Sequence, residues 1–230
     1  MRTILFDIDG TLLLTNQAGS SALQLALSQE FDLPNPCIDI SYGGRTDRSL
    51  LAQLLRINNL PETDEYWDRL RRRYAAVFPD VLRQRGGSLL PGAVEILERL
   101  RGESSVRICV MTGNLTETGE QKLRHFGLLK YSQWVSGGEL DADRDDLARR
   151  TAVGIRDRFG HQAPDDLVVV GDTVADVHCG HAIDAHVLAV CTGSHDRERL
   201  ESEKPLAVLD DLSNTDQIFD LIMNPGKIIG

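Results

Sequence analysis

Two aspartates separated by a single residue stand near the start of the chain, in residues 6–11 (FDIDGT). They are Asp7 and Asp9, and the apolar residues 4–6 precede them directly. A short apolar run that ends in acid and glycine is typical of a buried strand that stops at a turn. Alternate side chains of an extended chain project to the same side, so both carboxylates face one space. Because neighbouring carboxylates repel each other, we expect a cation or a shared proton between them, and with it nucleophilic or acid–base chemistry.

A hydroxyl side chain, Thr112, follows a second apolar run. Gly113 and Asn114 come next, just ahead of a helix predicted for residues 115–126. A hydroxyl beside free N–H groups at the start of a helix is a favourable site for an anion. Taken alone, Thr112 would more often cap the helix. Together with the two carboxylates, the pattern indicates a loop that binds a phosphoryl group.

Two more aspartates follow a later apolar run, at Asp172 and Asp176 in residues 170–176 (VGDTVAD). Asp176 has an alternative interpretation as an acid of the first helical turn, where the helix dipole favours it. Asp172, together with Asp7 and Asp9, would complete a set of oxygen ligands. Mg²⁺ is a hard cation that takes such ligands in octahedral geometry and keeps several waters. The pattern therefore predicts a magnesium site.

A basic side chain, Arg144, lies just before a helix predicted for residues 145–159. Thr112 and an arginine would hold a phosphoryl group beside the metal. Asp7 would then attack phosphorus, while the cations stabilise the charge of the transition state. The residues thus predict phosphoryl transfer from a small phosphorylated metabolite.

Asp7, Thr112 and Asp172 each come after a segment that the pattern predicts to be a buried parallel strand. Each segment is short, mostly apolar and followed by Gly, Asp or Thr. Alternating strands and helices are typical of a doubly wound α/β fold, a parallel sheet with helices on both faces. Ligands bind at the carboxyl ends of the strands in such sheets. The predicted strands are residues 3–6, 106–111, 167–170 and 186–190, with a weaker one at 206–209, and the helices of this part are about 92–102, 115–126, 145–159 and 216–223.

One region breaks this alternation, because residues 16–85 contain no convincing strand. Small helical inserts beside an active-site strand often serve as lids. We therefore expect two domains, an α/β core of residues 1–15 and 86–230 and an all-α cap of residues 16–85. Apolar stripes at helical spacing predict cap helices over residues 19–30, 46–57 and 62–85, with Pro79 as a candidate break in the last.

The acidic composition narrows the range of partners. The chain of 230 residues carries Asp+Glu 35 against Lys+Arg 25, a formal net charge of −10, whereas nucleic-acid-binding proteins present basic surfaces. Its four cysteines form no C-x-x-C pair, which argues against a zinc or disulfide framework. We find no signal sequence and no apolar run long enough to span a membrane. We expect a cytoplasmic protein, monomer or homodimer, that binds neither nucleic acid nor membrane.

Taken together, these motifs resemble those of the haloacid dehalogenase-like hydrolase superfamily, in its phosphatase branch. Residues 7–11 match the first family motif, D-x-D-G-T, and residues 171–176 match the fourth, G-D-x-x-x-D. Thr112 matches the second motif, a single Ser or Thr after a strand, and the helical insert matches the α-helical cap. The cap type and the run 44–47 (GRTD) make phosphoglycolate phosphatase-like enzymes the nearest description.

The resemblance implies a role for each carboxylate. Asp7 would be the nucleophile that forms an aspartyl-phosphate. Asp9 would protonate the leaving oxygen and later activate water. The Asp7 carboxylate, the Asp9 main-chain carbonyl and the Asp172 carboxylate would hold Mg²⁺. Thr112, with the N–H groups of Gly113 and Asn114, would bind the phosphoryl oxygens.

The third family motif is where this chain departs from the usual pattern. Most relatives carry a lysine there, but residues 138–171 contain none. Some phosphatase-like relatives resemble D-R-x-x-L at this place, which favours Arg144, with Arg149 and Arg150 as the alternatives. Asp176 would orient this basic residue.

The cap run 42–47 (YGGRTD) is similar to the specificity loop of the family, which implies that Arg45 binds a second charge on the substrate. Its alternative interpretation is a glycine turn followed by a helix cap at Thr46 or Asp47. Among rival reactions, dehalogenation is disfavoured because a haloacid dehalogenase would have no acid–base carboxylate at the position of Asp9. Phosphonate cleavage is disfavoured because its Schiff-base lysine has no counterpart in residues 16–85.

Three alternatives remain. A β-phosphoglucomutase-like phosphomutase keeps Asp9, so only the cap contacts distinguish it from a phosphatase. A catalytically weak binding module with the same fold has only the missing lysine of the third motif in its favour. A signalling receiver domain also uses an aspartyl-phosphate, but it lacks both D-x-D-G-T and a helical insert.

Overall fold

The computed structural model describes residues 1–160 and 166–225. Within these residues, six strands form one parallel sheet and two short strands form a separate antiparallel ribbon. The strands in chain order are β1 (Arg2–Phe6), β2 (Leu13–Leu14), β3 (Ser88–Leu89), β4 (Val106–Met111), β5 (Val135–Ser136), β6 (Leu167–Gly171), β7 (His186–Val190) and β8 (Ala207–Leu209).

Helices flank this sheet and also form a separate group between β2 and β3. No helix of the described residues has the length and apolar character needed to cross a bilayer. The helices in chain order are α1 (Ala18–Phe31), α2 (Asp47–Ile57), α3 (Asp64–Arg85), α4 (Ala93–Arg101), α5 (Thr116–His125), α6 (Arg144–Phe159), α7 (Val174–His181), α8 (Arg197–Ser202) and α9 (Thr215–Met223).

The sheet is buried on both faces, in the order β5-β4-β1-β6-β7-β8. Ile4 and Phe6 of β1 point into one apolar layer with α4, α5 and α9, whereas Leu5 points into the other with α6, α7 and α8. This alternation follows from the two-residue period of a strand. The predicted doubly wound α/β fold is therefore confirmed.

The central position of β1 decides where the active-site residues lie. Phe6, its last residue, is in register with Val110 of β4 on one side and with Val170 of β6 on the other. All three strands run in the same direction, so their carboxyl ends share one edge of the sheet. The residues that follow each strand must therefore meet at that edge.

Helices α1, α2 and α3 pack around an apolar cluster of their own, which includes Leu27, Leu54 and Phe78. We propose on this ground that residues 16–85 form a cap on the α/β core. The two connecting chains pair as the β2–β3 ribbon. At Gly87, whose φ is +153°, a Cβ atom would lie 2.1 Å from the carbonyl oxygen of Leu14, so the close approach of these chains requires glycine.

Helix α3 continues through Pro79 without the break that the sequence suggests. A proline lacks the N–H that would bond the carbonyl four residues earlier. That carbonyl belongs to Ala75, and it accepts instead a hydrogen bond of 3.3 Å from the side-chain amide of Gln121 on α5 of the core. A tertiary contact thus satisfies the group that Pro79 leaves free.

Short elements account for the other differences from the prediction. Strands β2, β3 and β5 have two residues each, and helices α7 and α8 have eight and six, so none carries a period long enough to recognise. Helix α6 begins at Arg144 rather than at Asp145, because Asp143 is its N-cap and accepts a 2.8 Å hydrogen bond from the Asp146 N–H.

Candidate active site

The predicted site residues of the core meet at the carboxyl edge of the sheet. Asp7 follows β1, Thr112 follows β4 and Asp172 follows β6. The backbone of Asp7 continues the sheet, since its N–H donates a 2.9 Å hydrogen bond to the Val170 carbonyl. Gly10 has a φ of +82°, and a Cβ atom there would lie 2.5 Å from Oδ2 of Asp172. Glycine therefore lets the turn after Asp9 pass directly over Asp172.

Three carboxylates form a cluster at this edge. One oxygen each from Asp7, Asp172 and Asp176 lies within 4.8 Å of the others. Burial raises the pKa of Asp7 from 3.8 to about 7, with Arg144 lowering it and Asp176 raising it further. Burial, then Asp176 and Asp7, raise the pKa of Asp172 well above its usual value. Such a group of buried acids favours a positive charge among them.

The acids of this cluster differ in how many of their oxygens are already bonded. Asp176 forms a capping box with Thr173, whose N–H and hydroxyl both donate to Oδ2, at 3.0 Å and 2.7 Å, while its Oδ1 accepts from Arg144. Within the part of the chain that the structure describes, Asp172 accepts one hydrogen bond, of 3.1 Å from the Thr11 hydroxyl to Oδ1. Asp172 thus has an oxygen available for a ligand, whereas Asp176 is engaged in holding Arg144 and starting α7.

Arg144 is the arginine that the fold places in the acidic cluster. It is buried, it pairs with Asp176, and its Nη1 lies 3.5 Å from Oδ1 of Asp7. Burial lowers its pKa, but Asp176 and Asp7 outweigh burial and leave the pKa raised. The two alternatives lie elsewhere: Arg149 pairs with a surface aspartate at 2.8 Å, and Arg150 pairs with Asp141 at 2.7 Å.

The loop after β4 is held from both sides. The Thr112 N–H donates a 3.0 Å hydrogen bond to Ser136 of β5, which makes the short edge strand the support of this loop. The Thr112 hydroxyl accepts from the Asn114 backbone N–H at 3.3 Å and from its side-chain amide at 2.7 Å. In this conformation the Asn114 N–H, which the sequence assigns to the phosphoryl group, bonds to Thr112.

Lys122 is a site residue that the sequence reasoning missed. It lies on α5, it is 3% exposed, and its Nζ is 2.6 Å from Oδ2 of Asp9 and 2.7 Å from Oδ1 of Asn114. A signal was present, because Lys122 stands seven residues after Leu115 and beside Leu123, on the apolar face of the helix. A lysine at such a position needs a buried partner.

The cap contacts the core through the start of α2. The Asp47 N–H donates a 2.6 Å hydrogen bond to the Gly113 carbonyl, and Oδ2 of Asp47 accepts one of 2.7 Å from the Leu115 N–H. The Arg48 N–H donates to the Gly138 carbonyl at 3.0 Å. Burial raises the pKa of Asp47 from 3.8 to about 7, which the Leu115 N–H and Lys122 lower in part.

Arg45 lies in the same cap loop but does not reach the acidic cluster. Its guanidinium bonds to cap groups without charge, namely the carbonyls of Ser41 at 3.2 Å and Ser49 at 3.3 Å and the side chain of Gln53. It lines a cavity of about 590 Å³ between the cap and the core. Asp7 and Asp9 also line this cavity, so a small molecule bound there would contact both the cap and the core.

Comparisons with known proteins bear on the family and the fold of this chain. A family model described as haloacid dehalogenase-like hydrolase matches residues 1–184. The probable phosphatase IndB of Dickeya dadantii (strain 3937) is 29% identical over 216 residues, which cover 91% of this chain and 90% of the relative. A phosphoglycolate phosphatase of Rhodospirillum rubrum is 29% identical over 220 residues, covering 93% of this chain and 88% of its own length. The structure of a predicted phosphatase from Clostridium acetobutylicum shares the fold, with a TM-score of 0.70 at 20% identity, and covers 96% of this chain and 99% of its own.

Proposed function

Because the chain belongs to the haloacid dehalogenase-like hydrolase family, we propose that it hydrolyses a small phosphomonoester through an aspartyl-phosphate on Asp7. The resemblance drawn from the motifs is confirmed at the level of the family. The proposed reaction is more specific than the family. It follows from the chemistry that the site residues can perform together.

The observation that carries the proposal is the surrounding of Asp7. Its carboxylate lies 3.5 Å from the buried guanidinium of Arg144, and Asp7 lines the cavity between cap and core. An arginine binds phosphoryl oxygens through two parallel N–H donors and stays charged at all working pH values. Arg144 and Thr112 would therefore hold the phosphoryl group while an oxygen of Asp7 attacks phosphorus.

The residues present fit a divalent metal, which we propose to be Mg²⁺. Asp7 and Asp172 offer carboxylate oxygens, and the Asp9 carbonyl accepts no hydrogen bond from the described residues. An all-oxygen set of this kind suits a hard cation. When bound, the metal would neutralise the clustered carboxylates and polarise the phosphoryl oxygens. We propose that the pKa of Asp7 then falls below about 7, which gives a charged nucleophile at neutral pH.

Asp9 is the residue to which we assign the proton transfer of the reaction. It borders the cavity, and its side chain is 38% exposed. We propose that it protonates the leaving oxygen as Asp7 binds phosphorus, and then takes a proton from the water that hydrolyses the aspartyl-phosphate.

The substrate class follows from the cap. Arg45 is a cation beside the cavity that has no carboxylate partner among the described residues, so it can receive a second anionic group of the substrate. The curated relatives include phosphoglycolate phosphatases, and phosphoglycolate carries a carboxylate beside its phosphate. We therefore propose a phosphorylated small acid of this kind as the first substrate to test.

The test is phosphate release from a panel that contains p-nitrophenyl phosphate, 2-phosphoglycolate, glycerol phosphate and glucose phosphates. We expect turnover by the wild type with Mg²⁺, no turnover after chelation with EDTA, and none by Asp7→Asn. Asp210→Asn is the matched control, because Asp210 is an exposed surface aspartate, and it should retain full activity. Isomerisation of a glucose phosphate without phosphate release would indicate the mutase instead. Wild-type turnover no higher than that of Asp7→Asn on every ester would overturn the proposal.

A further inference from the structure

We propose that Lys122 is a positioning residue for Asp9, which holds one oxygen of that carboxylate and so presents the other to the cavity as the proton-transfer atom. The inference rests on the proposed phosphatase reaction, and it deepens the role of Asp9 within it. It concerns the atoms Oδ2 and Oδ1 of Asp9, which the structure surrounds differently.

Two donors hold Oδ2 of Asp9. The Lys122 ammonium lies 2.6 Å away and the Asn114 side-chain amide lies 2.8 Å away. No group of the described residues donates a hydrogen bond to Oδ1. Because the Asp9 side chain is 38% exposed and borders the cavity, Oδ1 is the oxygen open to a substrate.

Lys122 and Asn114 also connect the two ends of the phosphoryl site. The side-chain oxygen Oδ1 of Asn114 accepts a hydrogen bond from Lys122 at 2.7 Å. The side-chain nitrogen of Asn114 donates both to Asp9, at 2.8 Å, and to the Thr112 hydroxyl, at 2.7 Å. The orientation of the proton-transfer group is therefore linked to that of the group that binds the phosphoryl oxygens. Fixed mutual orientation of reacting groups lowers the barrier of a reaction step.

The burial of Lys122 indicates that its charge is present for the contact with Asp9. Its side chain is 4% exposed, and its ammonium faces the ring of Phe78 of the cap at 5.7 Å, besides Asp9 and Asn114. A buried ammonium carries a large desolvation penalty, whereas an apolar side chain of similar length would suit this helix face without it. The position therefore holds a lysine for its contact with Asp9 rather than for packing.

The proton balance of the reaction runs through Oδ1. In the first step the Asp7 oxygen bonds to phosphorus, the bond from phosphorus to the ester oxygen breaks, and that oxygen takes the proton from Oδ1 and leaves as an alcohol. In the second step water bonds to phosphorus, the bond to Asp7 breaks, and the proton of the water returns to Oδ1. Lys122 keeps its protons throughout, since it only orients the carboxylate.

The test compares esters whose leaving groups differ in their need for a proton. The value of kcat/KM reports the steps up to and including formation of the aspartyl-phosphate. In these steps p-nitrophenolate can leave without a proton, whereas the oxygen of an alkyl ester needs a proton in order to leave. In Lys122→Met we expect kcat/KM for the best alkyl phosphate of the panel to fall by about 10²-fold, within the usual range for general-acid catalysis. The kcat/KM for p-nitrophenyl phosphate should stay near the wild-type value.

Matched variants separate positioning from a structural effect. Lys130→Met makes the same change at an exposed lysine outside the site and should alter neither value. Lys122→Arg keeps a cation beside Asp9 and should restore part of the alkyl phosphate activity. Asn114→Ala removes the other donor to Oδ2, and it serves if Lys122→Met does not fold. It also releases the Thr112 hydroxyl, so both esters should lose activity, but the alkyl phosphate should lose more than p-nitrophenyl phosphate.

Two outcomes would overturn the inference. One is an equal fractional loss of kcat/KM for both classes of ester in Lys122→Met, which would make the residue structural while wild-type turnover leaves the proposed function standing. The other is a crystal structure of Lys122→Met in which the Asp9 carboxylate keeps its wild-type orientation, and this readout does not depend on activity. A wild type that turns over no ester of the panel would refute the proposed function itself.

Discussion

The carboxylate of Asp47 should make the stability of this protein depend on pH in a way that one substitution removes. Asp47 belongs to the cap, is 4% exposed, and bonds through Oδ2 to the Leu115 N–H of the core at 2.7 Å. Asn at this position keeps the shape and can accept the same hydrogen bond through its oxygen. It has no charge to bury, so Asp47→Asn isolates the cost of the charge.

The direction follows from the pKa values of the two states. Burial raises the pKa of Asp47 from 3.8 to about 7 in the folded protein. Between these values the folded state binds more protons than the unfolded state, so the free energy of unfolding falls as the pH rises. The loss is complete above about pH 7. Going from pH 5 to pH 8.5 crosses about two pH units of this window, from pH 5 to about pH 7. At roughly 1.36 kcal/mol per unit, the free energy of unfolding falls by about 2–3 kcal/mol.

The measurement is urea unfolding of the wild type and of Asp47→Asn at pH 5 and at pH 8.5. We expect the wild type to lose about 2–3 kcal/mol relative to the variant between the two pH values. Asp7 and Asp172 also have raised pKa values, but both proteins carry them, so their effect cancels in the difference. Asp80→Asn, at an exposed cap position, is the control and should show no such change. A difference between wild type and Asp47→Asn that is the same at both pH values would refute the reasoning.

Three further outcomes are expected. Arg144→Met should lower kcat/KM by about 10²–10³-fold, because it removes a charged group that stabilises the transition state. The surface variant Arg149→Met should keep wild-type activity, and comparable losses in both variants would contradict the role of Arg144. Gly113→Ala should raise KM and speed proteolysis of the cap, because its Cβ would lie 1.9 Å from the Arg45 carbonyl and prevent the closed contact; unchanged kinetics and proteolysis would argue against it. The affinity for Mg²⁺, measured by calorimetry, should be lower at pH 6 than at pH 8. The reason is that protons compete with the metal for the Asp7 carboxylate, whose pKa is about 7 without metal. Equal affinity at both pH values would exclude this competition.

The helical period of α6 distinguishes Arg144 from Arg149, whereas the number of residues to Asp172 does not. Arg144 shares a face with the buried residues Ala148, Thr151 and Ile155, at intervals of four, seven and eleven residues. Arg149 lies off this face and is exposed. The phase of the buried positions therefore selects one arginine, whereas a count of residues to the next motif leaves three. The fold places Arg144 beside Asp7 and Asp176, and its role in the reaction stays a prediction.

Lys122 and Asp47 were harder to recognise because their partners are remote in the chain. Lys122 is 113 residues from Asp9, and Asp47 is 68 residues from Leu115. A periodic pattern places each of them on a buried helix face. It does not say which element covers that face, since this depends on how the cap closes on the core.

The sequence predicts the longer strands of the sheet, most of the longer helices, the all-helical insert of residues 16–85, and the positions of Asp7, Thr112 and Asp172 after strand ends. Local patterns suffice for this, because the period of apolar residues sets each element and parallel strands bring their carboxyl ends to one edge. Three features are visible only in the folded chain: α3 runs through Pro79, the cap contacts Gly113 and Leu115, and Lys122 meets Asp9. Each of these depends on a contact between distant segments, in which a buried polar group takes the partner that packing brings to it.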